Sequence, residues 1–405
     1  MSDGIFKGIR ILEITQTVGV DLAGRLFADQ GAEVIKIEKP GVGDPVRCRY
    51  PFAGDVPDRE RSLVFAFSNT SKKSVALDID TAEGVQAVKE LLKTCDVFVR
   101  EGDPSYFERI GLSYAELSKS NPALIVSSST SYGEGNSLAD WAANSFTLAH
   151  FSGETALYPH CNDCHEMAPT ILGGNFQEYD EGPVLFAGIV AALLWRQNHD
   201  NRGQYLETSS LEARMVNLFS ESTFFPVTGY SFDRYGAQHR EKAQQCQPTK
   251  DGWINPAPAQ PYHWQKFAKI IGKEEWIEEE WFNDVTERGK RNIEIMEAIR
   301  AWSSQHTKKE CVDACQAERI PFGPVATIKD VVESEQFNER GFFTEVEHPV
   351  YGKTKFPGRP YLMSETPFRI ERAAPLLGAD TEEVLGSLLG YSEEQIRQLS
   401  TEQTK

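Results

Sequence analysis

The sequence predicts an α/β protein with a large parallel-sheet domain and a smaller second domain. Residues 8–38 read strand, helix, strand, and the same alternation continues to residue 128. Such alternation is typical of a parallel sheet with helices on its faces. From Thr228 to Lys250 the chain becomes polar and rich in turn residues, and short segments rich in Glu, Lys and Trp follow. This change in composition predicts the second domain.

The first strand, helix and strand are predicted at Gly8–Ile14, Leu22–Asp29 and Glu33–Glu38, with Gly31 ending the helix. That order is the unit of a parallel sheet with a right-handed crossover, so the opening is Rossmann-like. Dinucleotide-binding versions carry G-x-G-x-x-G between the first strand and the helix, whereas only Gly19 stands here. We therefore expect neither a nicotinamide nor a flavin cofactor.

The alternation then continues and leads into an apolar helix. The further predicted elements are strand Ser74–Asp78, helix Thr81–Leu92, strand Asp96–Val99, helix Tyr114–Lys119, strand Leu124–Ser128, helix Pro183–Arg196 and a long helical pattern at Leu211–Phe219. We assign residues 1–215 and 325–405 to the large Rossmann-like domain and residues 225–320 to the small one. Pro321–Val325 is the predicted linker back, so the small domain is an insertion.

The composition is that of a globular protein, because 40% of the 405 residues are hydrophobic and 25% are charged. No apolar run is long enough to span a bilayer, and Met1–Gly4 lacks the start of a signal peptide, so we expect a cytoplasmic protein. A formal charge of -18 repels phosphate backbones and anionic lipids. Neither nucleic acid nor a membrane is an expected partner, and an anionic ligand needs a local basic pocket.

Three acids, Glu178, Asp180 and Glu181, directly precede the apolar helix. The first turn of a helix offers unpaired N–H groups and the positive end of the helix dipole, so it tolerates negative charge. Taken alone, this stretch is an ordinary acidic helix start. Motifs elsewhere in the chain give it a second interpretation.

A series of motifs resembles the class III CoA-transferases, the family that includes formyl-CoA, carnitine and benzylsuccinate CoA-transferases. In order along the chain they are Gly8–Glu13, Gly31–Glu38, Gly43–Arg47, Asn69–Ser74, Glu108–Leu112, Asn121–Ile125 and Gly188–Leu193. Each motif is weak alone. Their order and spacing over nearly the whole chain make the resemblance specific.

The resemblance implies an interlocked dimer in which each chain threads through the ring formed by the other. It also implies that the substrates are a CoA thioester and a carboxylic acid. A carboxylate of the enzyme attacks the thioester, CoA thiolate attacks the resulting mixed anhydride, and the acceptor acid then takes CoA from the enzyme. This chemistry needs a poorly solvated acid and donors for the developing oxyanion.

Glu178 occupies the position of the family's nucleophilic aspartate, counted back from Gly182 and Gly188. Asp180 is the runner-up and lies two residues out of register. A glutamate carries the same group on a longer side chain, and an error of that size in reach can lower a rate roughly 100-fold. Three outcomes are open: Glu178 reacts, Asp180 substitutes for it, or the site is inactive.

Two further segments depart from the family pattern. Where members carry an asparagine and an aromatic or similar residue that touch CoA, this chain has Arg100–Asp103, whose acids should repel phosphates. Where many members have a glycine-rich loop, this chain has Asn255–Pro261, and proline fixes φ and removes N–H donors. Both departures favour an inactive site.

Together these departures predict a non-catalytic subunit of a heteromeric CoA-transferase, paired with a paralogue that carries the aspartate. Succinyl-CoA:benzylsuccinate CoA-transferase is the precedent for such a heteromer. Two alternatives remain open. One is an active homodimeric CoA-transferase that uses Glu178, and the other is a non-enzymatic CoA-binding scaffold.

Basic residues in or beside the family motifs are the predicted contacts for CoA phosphates. They are Lys36, Arg47, Lys72, Lys73 and Arg109. The competing interpretation is a solvated surface, because exposed lysines commonly serve only solubility.

Cys161 and Cys164 form a single Cys-x-x-Cys flanked by histidines. The spacing suits zinc, but a closed structural site needs four ligands, and a second such pair is absent from the sequence. Cys246 or His239 would have to complete the site. We expect a loop with incidental thiols and keep zinc as the alternative.

Overall fold

The computed structural model describes residues 4–158, 167–231 and 246–400, and its central feature is a sheet of six parallel strands. The strands are β1 (Arg10–Ile14), β2 (Glu33–Glu38), β3 (Lys73–Ala76), β4 (Val97–Glu101), β5 (Ile125–Thr130) and β6 (Tyr205–Ser209). They lie in the order β3-β2-β1-β4-β5-β6, so the winding reverses between β1 and β4. This is the strand order of a Rossmann sheet, and the predicted fold class is confirmed.

Helices cover both faces of this sheet. They are α1 (Val18–Ala28), α2 (Leu63–Ser68), α3 (Ala82–Leu92), α4 (Pro104–Arg109), α5 (Tyr114–Ser120), α6 (Ser145–Phe151), α7 (Phe176–Tyr179), α8 (Glu181–Gln197), α9 (Ser210–Met215) and α10 (Phe219–Thr228). Because side chains alternate along a strand, β1 contributes to two cores. Leu12 packs with Leu91 of α3 on one face. Ile11 packs with Phe27 of α1 and Ile189 of α8 on the other.

The structure corrects two of the predicted elements. No strand was predicted at β6, whose residues Tyr205, Leu206 and Glu207 are not fully buried, so this edge strand lacks a continuous apolar run. The helical pattern predicted over Leu211–Phe219 is divided, because α9 ends at Met215 and α10 begins at Phe219.

A second compact unit comprises residues 246–341 together with 167 and 168. Its elements are β7 (Gln247–Thr249), β8 (Gly252–Pro256), α11 (Pro261–Ile270), α12 (Glu280–Asn283), α13 (Val285–Lys290), α14 (Asn292–Ser303), α15 (Lys308–Ala317), β9 (Phe322–Val325), α16 (Ile328–Glu333) and α17 (Glu335–Glu339). The three strands form an antiparallel sheet in the order β7-β8-β9. Its own core includes Trp264, Phe267, Ile299 and the two cysteines Cys311 and Cys315.

The first unit comprises residues 4–158, 169–231 and 342–400, so the chain returns to it at Phe342, later than the predicted boundary at 325. The returning segment contains β10 (Phe343–His348), β11 (Gly352–Pro357), α18 (Thr381–Leu389) and α19 (Glu393–Ser400). Residues at the start of α18 cover the edge strand β3. The N–H of Ser74 donates to Asp380 over 2.8 Å and that of Ala76 donates to Thr381 over 2.9 Å. Backbone donors that an edge would leave open are thereby satisfied.

Across the described helices of both units, none is both long and apolar enough to cross a membrane.

Candidate active site

A cavity of about 580 Å³ opens at the carboxyl ends of β1, β4, β5 and β6. Its lining includes Gln16 and Thr17 after β1, Gly102 and Asp103 after β4, and Ser131 after β5. Parallel α/β sheets bind their ligands at this end, where the strand order reverses. The cavity is therefore the candidate active site of the first unit.

Glu178 lies in the wall of this cavity, on the one-turn helix α7. Helix α1 fixes the backbone there, because a methyl group on Gly19 would lie 2.2 Å from the carbonyl oxygen of Glu178. Gly19 stands where a dinucleotide-binding fingerprint would lie, but here it lets α1 pack closely on α7, which carries the candidate nucleophile Glu178.

Arg49 and Ser145 hold the carboxylate of Glu178. The guanidinium of Arg49 donates to both oxygens, over 2.6 and 2.8 Å, and the hydroxyl of Ser145 donates over 2.8 Å. The Glu178 side chain is 11% exposed and that of Arg49 is 37% exposed. The Glu178 carboxylate is therefore poorly solvated, whereas the guanidinium of its partner Arg49 still reaches solvent. Such a two-pronged ion pair fixes the orientation of the Glu178 carboxylate.

Asp180 lies at the junction of α7 and α8 and is not among the described residues that line the cavity. It is half-buried, and burial raises the pKa of its carboxyl, while the positive charge of Arg214 opposes the rise. The geometry therefore places the carboxylate of Glu178, and not that of Asp180, on the cavity wall.

Two further carboxyl groups in the cavity lining, those of Glu181 and Glu101, are buried, and the sequence motifs did not indicate them. Glu181 is buried at the start of α8, where the hydroxyls of Ser129 and Ser210 donate to it, the latter over 2.6 Å. Burial raises the pKa of Glu181. Glu101, at the end of β4, accepts the N–H groups of Gln16 and Thr17 over 2.7 and 2.9 Å.

Burial, together with the negative charge of Glu181, raises the pKa of Glu101 to about 8. At neutral pH the Glu101 carboxyl is mostly protonated, so it adds little negative charge to the cavity and can donate a proton. The repulsion of phosphates expected from the acids of Arg100–Asp103 is therefore weaker for Glu101 than the sequence indicates. Asp103 remains exposed at the cavity mouth.

We predict that Glu101 makes folding less favourable as pH rises. Its pKa is 4.5 when unperturbed and about 8 in the folded chain, so the folded state holds the proton through a pH range in which the unfolded state has lost it. Stability from this group is greatest below pH 4.5 and declines until about pH 8. Between pH 6 and pH 8 the loss should be about 2 kcal/mol.

Urea unfolding at both pH values measures the free energy of unfolding. Glu101→Gln should remove this part of the decline, and Glu108→Gln, at an exposed position on α4, should leave it in place. Equal pH dependence in the native chain and the Glu101→Gln variant would contradict the assignment.

Lys36, Lys72 and Arg47 are fully buried and engaged by internal carboxylates, which argues against the predicted contacts with CoA phosphates. The ammonium of Lys36 pairs with Asp21 over 2.6 Å and that of Lys72 with Glu13 over 2.6 Å. In the same way the guanidinium of Arg47 pairs with Glu38 over 2.7 Å. Burial without such partners would cost several kcal/mol per ion, so these charges are structural in this chain.

Lys73 and Arg109 lie nearer the surface but outside the cavity lining. The ammonium of Lys73 pairs with Glu33 over 2.9 Å and Glu383 over 2.8 Å. Arg109 is exposed, with its guanidinium 5.4 Å from the ring centre of Tyr106. The cations that do line the described cavity are Arg49 and Arg214, which the motifs did not indicate.

Cys161 and Cys164 lie outside the described residues, so the structure says nothing of the predicted zinc alternative there. Within the part of the chain that the structure describes, no group of three or more His, Cys, Asp or Glu side chains is placed to hold a metal ion.

Comparisons of the sequence with known proteins find relatives over nearly the whole chain. The model of CoA-transferase family III matches residues 6–381. A formyl-CoA:oxalate CoA-transferase of Bradyrhizobium sp. (strain ORS 278) is 30% identical, over 97% of this chain and 95% of its own length. The one from Bradyrhizobium diazoefficiens is 29% identical, over 96% of this chain and 94% of its own length.

Solved structures share the fold. A CaiB/BaiF family protein from Brucella suis superposes with a TM-score of 0.84 at 24% identity, covering 95% of this chain and 100% of its own. The orthorhombic form of Rv3272 from Mycobacterium tuberculosis superposes with a TM-score of 0.80 at 25% identity, covering 94% of this chain and 99% of its own.

Proposed function

Because this chain belongs to CoA-transferase family III, we propose that it transfers CoA from an acyl-CoA to a carboxylic acid, with Glu178 as the attacking carboxylate. One observation carries the proposal: Glu178 lies in the wall of the cavity at the strand reversal, poorly solvated and next to the hydrogen-bond donors of Arg49 and Ser145. These are the two properties that carboxylate attack on a thioester requires.

In the proposed reaction a carboxylate oxygen of Glu178 attacks the thioester carbonyl carbon, and the carbon–sulfur bond breaks. The products are a mixed anhydride and CoA thiolate. The thiolate attacks the glutamyl carbonyl carbon, which releases the donor acid as its carboxylate and leaves CoA on Glu178 as a thioester. The acceptor carboxylate repeats the two steps in reverse order, so that Glu178 is restored and the acceptor carries CoA.

Arg49 is the proposed electrostatic catalyst. Negative charge moves from the Glu178 carboxylate to the thioester oxygen in the first step. The Arg49 guanidinium, which is already paired with Glu178, can turn and donate to the thioester oxygen as negative charge develops there. The Arg49 side chain has room for this movement because it is 37% exposed. Ser145 can supply a second donor from the start of α6. Prearranged donors of this kind commonly contribute about 10²-fold or more to a rate.

A second candidate function is the non-catalytic subunit of a heteromer, and one observation favours it. Both oxygens of Glu178 are already bonded to Arg49, and an ion pair lowers the nucleophilicity of a carboxylate. In that case the catalytic aspartate would come from a paralogue, and the two chains would form the interlocked dimer that the family resemblance implies. The partner would then carry the covalent intermediate.

Trapping of the covalent intermediate tests the proposal. The purified chain is incubated with succinyl-CoA as donor, quenched with hydroxylamine, digested and analysed by mass spectrometry. We expect a hydroxamate on Glu178, because hydroxylamine displaces CoA from a glutamyl thioester. A chain that is active in CoA transfer but labelled at another residue would contradict the role of Glu178. A label found only on a co-purifying paralogue would establish the non-catalytic role instead.

A further inference from the structure

Arg214 is a buried cation in the cavity wall whose hydrogen-bond donors are not all used. It belongs to α9 and is 5% exposed. Its Nε and Nη1 atoms are buried, and no described atom accepts a hydrogen bond from either. A guanidinium carries five N–H donors in a planar fork and has no acceptor function. Buried donors of a charged group that remain unpaired are costly, so this arrangement points to a missing acceptor.

The protein's own carboxylates do not supply that acceptor. Burial lowers the pKa of Arg214, and the negative charges of Asp180, Glu154, Glu178 and Glu181 oppose that fall. Yet Glu178 is held by Arg49 and Ser145, and Glu181 is held by two serine hydroxyls. The surrounding acids therefore keep Arg214 charged without occupying its Nε and Nη1 donors.

The other cation of the described cavity lining, Arg49, already uses both arms of its guanidinium on Glu178. The guanidinium in the described lining that holds buried donors without an acceptor is that of Arg214. A guanidinium fork matches a carboxylate through two parallel hydrogen bonds, which makes Arg more selective for that group than a point charge.

We propose that Arg214 binds a second carboxylate of the acceptor, so that the acceptor is a dicarboxylic acid whose other carboxylate receives CoA. The proposal rests on the proposed function for the first carboxylate, which must lie beside Glu178 to react. It gives Arg214 a role in specificity: a monocarboxylic acid leaves the Arg214 donors unpaired, whereas a dicarboxylic acid satisfies them. Two hydrogen bonds to a buried charge correspond to about a 100-fold difference in affinity.

Isothermal titration of the full chain with succinate and with butyrate tests this, since butyrate has the same carbon chain without the second carboxylate. We expect succinate to bind about 100-fold more tightly, and Arg214→Gln to reduce that preference to within about threefold. Arg202→Gln, at an exposed position outside the cavity, is the matched control and should keep the full preference.

Equal affinity of the native chain for succinate and butyrate would overturn the proposal, and this result does not require a variant to fold. Arg214→Lys keeps the charge without the fork, so it should retain only part of the preference. Titration with CoA is the second arm: if Arg214→Gln weakens CoA binding and leaves succinate binding intact, Arg214 serves a phosphate and the proposal fails.

The titrations contain no acyl-CoA, so they do not depend on covalent chemistry at Glu178. A succinate preference that requires Arg214, together with no label on Glu178, would reject the nucleophile and keep the dicarboxylate site. A label on Glu178 without a preference for succinate over butyrate would keep the nucleophile and reject the dicarboxylate site.

Discussion

Glu178→Gln should lower the rate of CoA transfer at least about 10³-fold, because an uncharged amide cannot form the mixed anhydride. The amide keeps the size of the side chain and can still accept a hydrogen bond from Ser145. The fold should therefore persist, and circular dichroism and the unfolding midpoint should change little. Steady-state transfer from succinyl-CoA to a carboxylic acid, followed by chromatography of the CoA esters, measures the effect.

Two further variants separate the explanations for that loss. Glu178→Asp restores the family residue on a shorter side chain, and Arg49 is exposed enough to follow it, so measurable activity should remain. Asp180→Asn should keep most of the activity, because Asp180 does not line the described cavity. If Asp180→Asn abolishes transfer and Glu178→Gln does not, the nucleophile is Asp180. If the native chain shows no transfer without a paralogue, this chain is the non-catalytic subunit, and the proposed role of Glu178 as the nucleophile is wrong.

Lys36→Met should destabilise the first unit by about 3–5 kcal/mol. Lys36 is fully buried, and its ammonium lies 2.6 Å from Asp21 and 2.5 Å from Asp44. Burial by itself favours the neutral amine, but Asp21, Asp44 and Glu13 together raise the pKa of Lys36 well above its usual value. Methionine fills much of the same volume and removes the cation, which leaves buried carboxylates without their counter-ion.

Urea unfolding followed by circular dichroism measures this loss. Lys39→Met is the matched control on the same segment, because the Lys39 side chain is 49% exposed and its ion pair with Asp80 is open to solvent. An exposed pair of this kind contributes about 1 kcal/mol or less. If both variants lose the same stability, the buried network around Lys36 does not have the structural role assigned to it.

Strands β1 to β5 of the parallel sheet could be predicted, because a local sequence pattern specifies each of them. Strand and helix patterns predicted the parallel sheet. Glu178 was a candidate only through the family resemblance, counted back from Gly182 and Gly188, and the structure places it in the cavity wall. The partner of Glu178 was not predictable in this way. Arg49 lies 129 residues away along the chain, and no local pattern marks which arginine will meet a given carboxylate.

Lys36 shows a second limit. Its strand reads Glu-Val-Ile-Lys-Ile-Glu. Lys36 and Glu38 are two residues apart and therefore lie on the same face of the strand, which indicates that this face is polar. The strand lies inside a sheet covered on both faces, where nearly every residue is buried. A charge at such a position is stabilised by carboxylates that come from other elements, such as Asp21 of α1. Surface lysines and buried ion-paired lysines therefore look alike in sequence.

The covering of β3 by the start of α18 has a consequence for the order in which a ribosome completes the two units. The core of the first unit includes Val384, Leu385 and Ile396, which are made after residues 246–341. The residues 246–341 of the second unit are contiguous and are made earlier. Since compact units fold as their residues become available, the second unit can finish during synthesis while the first still has an open sheet edge at β3. A nascent chain that has emerged from the ribosome as far as residue 341 would carry a folded second unit and, on the first unit, an open sheet edge that chaperones can bind.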